Sequence, residues 1–508
     1  MTAALATDPR AIRFVLDGEV VSIANLPPTT TVLEYLRNFA GRTGTKEGCA
    51  EGDCGACTVV LGELAADGKS IDYHAINSCI RYLPTIDGKE LVTVESLQAA
   101  DGELHPVQRS MVECHASQCG FCTPGFVMSL FALYLRRDSP EREEVVTALS
   151  GNLCRCTGYR PIIDAGCRMS EYDTPKHWSR AEAHSTARVE QLRALQRRTP
   201  ASALRYPGFY APLTVDELAA ELEAAPDSLV LAGGTDVGLW TTKHLRDLPP
   251  IVYIGAISEL QSVGRVEGSG WLRIGAGVSL TVAWASLVDE HPALAEQARR
   301  FASPPVCNSG TLCGNIANGS PIGDSMPALI ALGAEVELRQ GTRCRRLPLE
   351  QLYLGYQKKN LQPGEFIVSV VVPSPSSPSS PKPDRLFASY KLAKRIDQDI
   401  SAVCGAFAIE LSRGRVASAR LAFGGMAAIP ARAANAERAL VGQPWSQASV
   451  DAAIAALAAD FTPLTDARAS QPYRLKAAGS MLERFYLQHT QHASQLRVTD
   501  PSVFLELT

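Results

Sequence analysis

The chain begins with an alternation of apolar and polar positions that predicts a β-hairpin followed by a helix. Apolar residues alternate over 12–16, the turn dipeptide Asp17-Gly18 follows, and a second apolar run covers 20–23. Thr31 and Glu34 have the spacing of a capping box, and a helical apolar stripe follows them. Because a cysteine-rich loop comes next, this order of elements predicts a β-grasp domain.

Further along the chain the pattern changes three times. Residues 91–165 are mostly helical in pattern, and Thr123 as cap with Pro124 in the first helical position predicts a helix directly after two cysteines. The segment 170–200 is polar without a clear apolar period, which indicates an inter-domain connector. From residue 204 to 372, short β-rich runs alternate with Gly-rich turns and helical stretches, as in an α/β or α+β domain.

The last part of the chain predicts a loop and one more domain. The run 374–383, SPSSPSSPKP, is of low complexity and predicts a mobile loop. A strand-like run over 415–423 and Ala-rich helices from Ala431 onward predict a final domain. No internal repeat of solenoid length is present in the sequence.

Length, charge and cysteine distribution narrow the function. The length of 508 residues suits about three or four domains. A net charge of -4 without a block of like charges argues against a nucleic-acid partner, and no apolar run approaches the ~18 residues that span a bilayer. Residues 1–10 show no secretory signal, so we expect a cytoplasmic protein. In that reducing compartment, ten of the 14 cysteines crowd between Cys49 and Cys167, which points to metal binding.

The strongest chemical signal is the spacing of four cysteines. The four residues are Cys49, Cys54, Cys57 and Cys79. Their pattern, C-x4-C-x2-C followed by x21-C, is that of a plant-type [2Fe-2S] ferredoxin. Glycines at 48, 52 and 55 suit a tight loop whose N–H groups turn toward sulfur, since glycine permits the positive φ values that such a loop needs. Four buried thiols without a metal are the alternative.

A second set of cysteines admits more than one assignment. Cys114, Cys119 and Cys122 repeat the spacing C-x4-C-x2-C, and a C-x-C pair follows at Cys154 and Cys156. Because a cluster needs four thiolates, the favoured set is Cys119, Cys122, Cys154 and Cys156, with Cys114 left as an ordinary thiol. Zinc, which commonly takes two C-x2-C knuckles, is the rival metal.

Three runs carry a resemblance to a known family. TGTKEGCAEGDCGACTVV, SQCGFCTPGF and GNLCRCTGYRPI resemble the iron–sulfur half of the molybdenum hydroxylases, the xanthine dehydrogenase and aldehyde oxidase family. Residues 200–500 resemble the flavin domain of that family, and the order of clusters and then flavin on one chain is similar to its bacterial small subunits.

Pattern and resemblance together imply a multidomain α+β protein. We expect a plant-type ferredoxin-like [2Fe-2S] domain of β-grasp fold over 1–90, a helical [2Fe-2S]-binding domain over 91–170, a linker over 171–200, an α+β FAD-binding domain over 201–373, a flexible Ser/Pro loop over 374–384 and a C-terminal α+β flavoprotein domain over 385–508.

Two glycine-rich loops lie in the expected flavin region, LAGGTDVG from Leu231 and NSGTLCGNIANGSPIGD from Asn308. Such loops can present N–H groups to a pyrophosphate, although each alone is better interpreted as a plain turn. Together, downstream of two clusters, they favour a dinucleotide flavin. The resemblance implies FAD contacts at Val230, Leu231, Ala232, Gly233, Gly234, Thr235, Asp236, Val237, Phe301, Thr311, Leu312, Cys313, Gly314, Asn315, Asp324, Ile367 and Lys391.

Three of these residues have plain alternatives or depart from the family. Cys313 stands where the family commonly has a glycine, which leaves the backbone there less free. Asp324 could be a turn residue and Lys391 a solvated side chain.

The resemblance implies an electron-transfer role. Electrons from a large molybdopterin-binding subunit pass through the cluster of the second cysteine set, then through that of the first set, and reach FAD, which reduces NAD+. An α2β2 heterotetramer is implied, with no catalytic residue on this chain because the substrate chemistry belongs to the partner. Gln118 resembles a pterin contact, and a helix-cap hydrogen bond is its plain alternative. In the run 387–407, we expect four charged residues to tune the flavin and the nicotinamide approach, with a solvated face as the alternative: Lys394, Arg395, Asp397 and Asp399.

Two other functions stay open. Substrate choice lies in the partner, so hydroxylation of an aldehyde, nicotinate or carbon monoxide is an alternative, although clusters and flavin on one chain favour the xanthine type, which oxidises hypoxanthine and xanthine to urate. A non-catalytic iron–sulfur assembly or sensor protein would need clusters but no flavin domain.

Overall fold

The computed structural model describes residues 8–375, 384–396 and 398–490. The chain divides into two compact units, each described separately below. The first holds the residues up to Glu259 together with 279–281 and 302–311, and the second holds 260–278, 282–301 and the residues from Leu312 onward. Asp397 and most of the predicted Ser/Pro loop lie outside the described residues.

The first domain has the predicted β-grasp arrangement. Its sheet has the order β2-β1-β5-β3-β4, and the hairpin register pairs Ile12 with Ile23. The elements are β1 Ile12–Leu16, β2 Glu19–Ile23, α1 Val32–Asn38, β3 Thr58–Leu64, β4 Ile71–Asn77 and β5 Glu90–Val92. The capping box is formed, because Glu34 N donates to Thr31 Oγ1 at 3.1 Å and Thr31 N to Glu34 Oε2 at 2.7 Å.

The second domain is helical. Its helices are α2 Pro106–Glu113, α3 Thr123–Arg136, α4 Arg142–Leu149, α5 Arg160–Arg168, α6 Arg180–Ala183 and α7 Thr186–Leu195. α3 is buried from Gly125 to Leu135 and forms the centre of the core. The prediction that Thr123 caps this helix is wrong. Cys122 is the N-cap, and Thr123 is already helical with its hydroxyl 2.7 Å from Ser117 Oγ.

The connector predicted over 171–200 is folded onto the first two domains. It contains α6 and α7, and Val189, Leu192 and Leu195 of α7 are buried in the core. Their spacing of three residues is a short helical stripe that the many intervening charged residues hide in the sequence. Tyr73 of β4 anchors the segment, because its hydroxyl donates to Ala183 O at 3.0 Å.

The first unit also contains a small four-stranded sheet of order β6-β7-β9-β8. Its elements are β6 Leu204–Tyr206, β7 Phe209–Ala211, α8 Val215–Ala224, β8 Leu229–Leu231, α9 Val237–Thr242 and β9 Ile251–Tyr253. β8 and β9 are parallel, and α9 connects them, beginning after the carboxyl end of β8.

The second unit contains two larger sheets, of orders β10-β11-β16-β12-β13 and β17-β18-β19-β20, and a β14-β15 pair. The strands are β10 Val263–Arg265, β11 Leu272–Gly275, β12 Glu335–Gln340, β13 Arg343–Pro348, β14 Tyr353–Gly355, β15 Lys358–Lys359, β16 Phe366–Val372, β17 Asp384–Leu392, β18 Val403–Ser412, β19 Arg415–Gly424 and β20 Ala431–Arg432. The remaining α-helices of the described residues are α10 Leu280–Glu290, α11 Ala295–Arg299, α12 Pro304–Ser309, α13 Leu312–Asn318, α14 Ser325–Leu332, α15 Ala434–Leu440, α16 Gln447–Asp460 and α17 Gln471–Thr490.

Of these helices, α12 belongs to the first unit, where it packs on β4. The multidomain α+β class predicted from the sequence is confirmed. None of the helices in the described part of the chain combines the length and the apolar character needed to cross a lipid bilayer.

Candidate iron–sulfur and flavin sites

The first cysteine set lies in the loop before β3 and in the turn after β4, where its four thiols form two pairs. Cys57 Sγ and Cys79 Sγ are 3.2 Å apart, and both residues are buried. In the other pair, Cys49 N donates to Cys54 Sγ at 3.3 Å, and Cys54 N donates to Cys49 Sγ at 3.3 Å. The hydrogen bond from the Cys54 side chain, supported by backbone N–H groups, lowers the pKa of Cys49 to about 4 against the opposing effect of burial. The loop therefore favours a thiolate at Cys49, whereas the shared hydrogen bond and burial raise the pKa of Cys54.

The glycines of this loop have two different roles. Gly52 and Gly55 have φ values of 80° and 68°, as the sequence predicts. Gly48 does not have a positive φ; a Cβ there would lie 2.7 Å from Cys54 Sγ, so glycine is required by the close approach of sulfur. Ala50 takes a left-handed φ of 53° without being glycine, and no sequence signal indicates this.

The second cysteine set also forms two pairs. The thiol of Cys119 acts on the pKa of Cys156, and the thiol of Cys154 acts on the pKa of Cys122, so the two members of each pair are neighbours. Cys119 and Cys156 are exposed, whereas Cys154 is buried. Cys114 ends α2, where its sulfur accepts a hydrogen bond from Arg168 Nη1 at 3.6 Å. The second set thus joins the start of α3 to the loop before α5.

Two residues that sequence reasoning missed support Cys154. Thr157 donates to Cys154 Sγ twice, from Oγ1 at 3.2 Å and from N at 3.5 Å. Burial raises the pKa of Cys154, but the Thr157 hydrogen bonds, together with the Cys156 backbone and the Cys122 thiol, outweigh burial and lower the pKa. Tyr159 accepts a hydrogen bond from Cys154 N at 3.0 Å. The available signal was the run TGY directly after Cys156.

The pairwise arrangement of thiols distinguishes the two candidate metals. A single zinc ion would hold its four sulfurs about 3.8 Å from one another, since each Zn–S bond is about 2.3 Å. Among the described residues, no group of three or more His, Cys, Asp or Glu side chains is arranged to hold one metal ion. A [2Fe-2S] cluster takes two thiolates on each of its two irons. The paired thiols therefore suit one such cluster in each set.

In the first unit, the predicted flavin residues from Val230 to Val237 run from β8 through a tight turn into α9. Gly234 has a φ of 76°, and a Cβ on Gly233 would lie 1.9 Å from Ser309 O. The turn therefore packs directly on the segment 302–311, which also contains the predicted contact Thr311. Glycine is therefore required at 233 by the packing of the chain itself, whether or not a ligand binds there.

Helix α9 packs against the first cysteine set. A Cβ on Gly238 would lie 2.6 Å from the carbonyl oxygen of Ile80, the residue after Cys79. Thr242 Oγ1 donates to Ala50 O at 2.8 Å, within the loop that carries Cys49 and Cys54. The first predicted flavin loop and α9 therefore contact the segments that carry the first thiol set.

In the second unit, Asp324 and Lys391 form a buried ion pair of 2.7 Å, between Lys391 Nζ and Asp324 Oδ2. Ser401 Oγ donates to Asp324 Oδ1 at 2.6 Å, and Arg300 Nη1 donates to Lys391 O at 2.9 Å. The plain alternative of a solvated lysine is wrong, because the Lys391 side chain is buried and paired; Asp324 lies in the bend that begins α14. Asn315 is also bonded, since its Oδ1 accepts from Ser325 Oγ at 2.5 Å.

The predicted contacts Leu312 to Asn315 lie in α13. Cys313 is buried there, its Sγ donates to Ile274 O at 3.9 Å, and burial raises its pKa to about 12. A helical backbone does not require glycine, so the cysteine changes packing and not the path of the chain.

Two further predicted contacts of the second unit are apolar and buried. Ile367 lies in β16, opposite Leu338 of β12. The ring of Phe301 lies 5.2 Å from that of Trp284, whose Nε1 is buried without a hydrogen-bond partner among the described residues. That indole N–H is a donor still available to a ligand.

The charged residues expected near the flavin mainly hold their own loop. Arg395 N donates to Asp399 Oδ2 at 2.9 Å, and Lys394 Nζ donates to Ala467 O at 2.9 Å. Burial raises the pKa of Asp399, but the hydrogen bond from Arg395 N helps to lower it overall. Asp397 lies outside the described residues, and Gln118 is exposed beside Cys119.

Four family models match successive parts of the chain. They are the 2Fe-2S iron-sulfur cluster binding domain over 14–83, the [2Fe-2S] binding domain over 93–167, the FAD binding domain in molybdopterin dehydrogenase over 202–375 and the CO dehydrogenase flavoprotein C-terminal domain over 388–489. The chain is therefore an iron–sulfur flavoprotein with two 2Fe-2S domains and one FAD-binding domain.

Relatives among known proteins narrow this class. A xanthine dehydrogenase of Emericella nidulans is 33% identical over 505 residues, which cover 89% of this chain and 36% of the relative. The xanthine dehydrogenase/oxidase of Rattus norvegicus is 30% identical over 536 residues, covering 96% of this chain and 40% of the relative. The solved carbon monoxide dehydrogenase from Hydrogenophaga pseudoflava is 31% identical with a TM-score of 0.49, covering 54% of this chain and 94% of that chain.

These domains and relatives fit the Fe–S/FAD subunit of a molybdenum hydroxylase, which confirms the resemblance stated from the sequence. The chain spans less than half the length of the curated relatives it matches.

Proposed function

We propose that this chain is the electron-transfer part of an NAD+-dependent xanthine dehydrogenase. The observation that carries the proposal is the contact of α9 and the first flavin loop with the first thiol set, through Gly238 and Thr242. A flavin domain built onto an iron–sulfur domain suits electron transfer and not cluster assembly or sensing.

The two cysteine sets would each hold a [2Fe-2S] cluster, and the flavin contacts inferred from the sequence would hold FAD. When bound, the clusters supply one-electron chemistry, and the flavin accepts two electrons and exchanges a hydride with NAD+. The chain's own residues supply the thiolates in pairs. Backbone N–H groups and the Thr157 hydroxyl donate hydrogen bonds to sulfur, and burial excludes water from Cys57 and Cys79.

The partner in this proposal is a large molybdopterin-binding subunit, in an α2β2 assembly. The supporting observation is the exposure of Cys119 and Cys156, flanked by Phe121 and Leu153, which are apolar and 46% and 37% exposed. An exposed apolar patch around a redox site is typical of a surface that a partner covers. Hypoxanthine and xanthine are oxidised to urate on that partner.

Two assays on one preparation test the proposal. The cofactor-loaded chain alone should reduce a dye with NADH but should not oxidise xanthine, and addition of the partner should give xanthine-dependent NADH formation. Cys156→Ser should keep the NADH–dye reaction and abolish the xanthine reaction. Xanthine oxidation by the chain alone, or activity of the complex with an aldehyde, nicotinate or carbon monoxide but not xanthine, would overturn it.

A further inference from the structure

The two cysteine loops meet through a single backbone hydrogen bond. Leu153 N donates to Cys54 O at 3.0 Å, across a separation of about a hundred residues. Cys54 belongs to the first thiol set, and Leu153 is bonded directly to Cys154 of the second. A short path of covalent bonds with one hydrogen bond therefore joins a thiol of one set to a thiol of the other.

The side chain of Asn152 forms further hydrogen bonds between the two cysteine loops, next to the Cys54–Leu153 hydrogen bond; we call this region the junction. It is 3% exposed, and its Nδ2 donates to Gly55 O at 3.0 Å and to Thr58 Oγ1 at 3.2 Å. Its Oδ1 accepts a hydrogen bond from Ser129 Oγ of α3 at 2.6 Å. A single amide thus connects the residue after Cys54, the start of β3 and the helix that follows Cys122.

The backbone at the junction is packed too closely for side chains. A Cβ on Gly55 would lie 2.2 Å from Gly151 O, and a Cβ on Gly125 would lie 2.1 Å from Gly55 O. Three separate segments therefore approach one another at glycines, which allows the Cys54–Leu153 hydrogen bond to form.

We propose that Asn152 is a positioning residue that fixes the two cysteine loops against each other and so sets the electronic coupling between the groups they hold. The proposal rests on the proposed function, because it requires both sets to bind clusters. Electronic coupling through bonds decays less steeply with distance than coupling across a gap. Breaking the Cys54–Leu153 hydrogen bond should therefore weaken the electronic coupling between the two groups.

The test compares isosteric variants of the full cofactor-loaded protein. Asn152→Asp keeps the acceptor for Ser129 but removes the donor to Gly55 O. Ser129→Ala removes the donor to Asn152 Oδ1 and keeps the Asn152 donor to Gly55 O, and Ser150→Ala, a half-buried position in the same loop, is a second control. Hydrogen exchange by mass spectrometry follows the Leu153 amide, and low-temperature electron paramagnetic resonance of the reduced protein gives the spin count and the magnetic interaction between the two centres.

In Asn152→Asp we expect about tenfold faster exchange at Leu153, the size of effect expected from the loss of a buried hydrogen bond, together with a weaker magnetic interaction and an unchanged spin count. Both controls should behave as the wild type. Unchanged exchange and interaction in a fully loaded Asn152→Asp protein would overturn the proposal.

If Asn152→Asp fails to load its clusters, Thr58→Val decides the question, because it removes only the Nδ2 bond to Thr58 Oγ1 and the Thr58 Oγ1 bond to Gly55 O. About a two- to threefold increase in Leu153 exchange supports the proposal, and no change overturns it. A wild type with no spin signal from either set would instead overturn the proposed function.

Discussion

The two cysteine loops of this chain have similar chemistry and opposite exposure. In the first, Cys57 and Cys79 are 1% and 2% exposed, and Ile80 beside them is packed against α9. In the second, Cys119 and Cys156 face solvent. The least buried thiols of the two sets thus differ, because Cys49 and Cys54 are half-buried in the first loop whereas Cys119 and Cys156 are exposed in the second.

This difference indicates a direction. The first cysteine loop is covered by the flavin domain of the same chain. The second loop has two exposed thiols and an apolar rim, which is typical of a surface that a partner protein covers. The exposure of Cys119 and Cys156 agrees with the proposed entry of electrons at the second set and their exit at the first.

The largest expected effect comes from removing a thiol in each loop. Cys79→Ser and Cys156→Ser should each lower iron from about four to about two per chain. Only Cys79→Ser should also unfold the ferredoxin-like domain, because its thiol is buried in the core beneath α9 and metal binding there is linked to folding. Iron analysis and thermal denaturation measure both effects, with the exposed Cys344→Ser as the control. Equal losses of thermal stability in both variants would contradict the comparison.

The second prediction concerns acid stability of the helical domain. His105 is buried, its Nδ1 accepts from Val107 N at 3.3 Å, and burial lowers its pKa to about 4. The unfolded chain binds a proton near pH 6.5 and the folded chain does not, so this contribution to stability is full above about pH 6.5 and is lost as the pH falls toward 4. The loss is about 3 kcal/mol.

Domain-resolved hydrogen exchange between pH 7 and pH 4 measures that loss. His105→Asn can still cap α2 and should remove this loss of stability at acid pH. The substitution His115→Asn, at an exposed position, should leave the loss unchanged. The same acid dependence in His105→Asn and in the wild type would show that other groups govern this domain.

The third prediction concerns access of a chelator. The second set should lose its iron at least about tenfold faster than the first, because local exposure of the metal site controls attack by a chelator. Electron paramagnetic resonance during the reaction distinguishes the two centres. Loss of both signals at one rate would mean that exposure of the thiols does not govern stability of the clusters.

The smallest expected effect concerns the apolar rim. Phe121→Ser should weaken binding of the molybdopterin-binding partner by about tenfold, as for loss of one aromatic contact in an interface, without changing iron content. The exposed Phe39→Ser, in the first domain, is the matched control. Calorimetric titration measures the affinity; equal weakening by both substitutions would remove the second loop from the interface.

Local features of the sequence predicted much of this molecule. The hairpin at 12–23 and the Thr31 capping box depend on residues close in sequence. The positive φ of Ala50 and the helices within 171–200 had no comparable signal, since tertiary packing fixes them.

Other parts of the site depend on contacts between distant segments. Asn152 bonds Gly55, 97 residues away, and Gly233 is required by Ser309 and not by its own turn. The sequence also indicated Gly48 for the wrong reason, because backbone freedom and close approach both select glycine. Such roles become visible only when the chain is folded.

The most direct test of the account is the content of iron, acid-labile sulfide, zinc and FAD in the purified full-length protein. Two [2Fe-2S] clusters and one flavin predict about four irons and four sulfides per FAD, with two distinct signals on reduction. Zinc in place of iron, about two irons per chain, or iron without FAD would contradict the claim that this chain joins two clusters to a flavin.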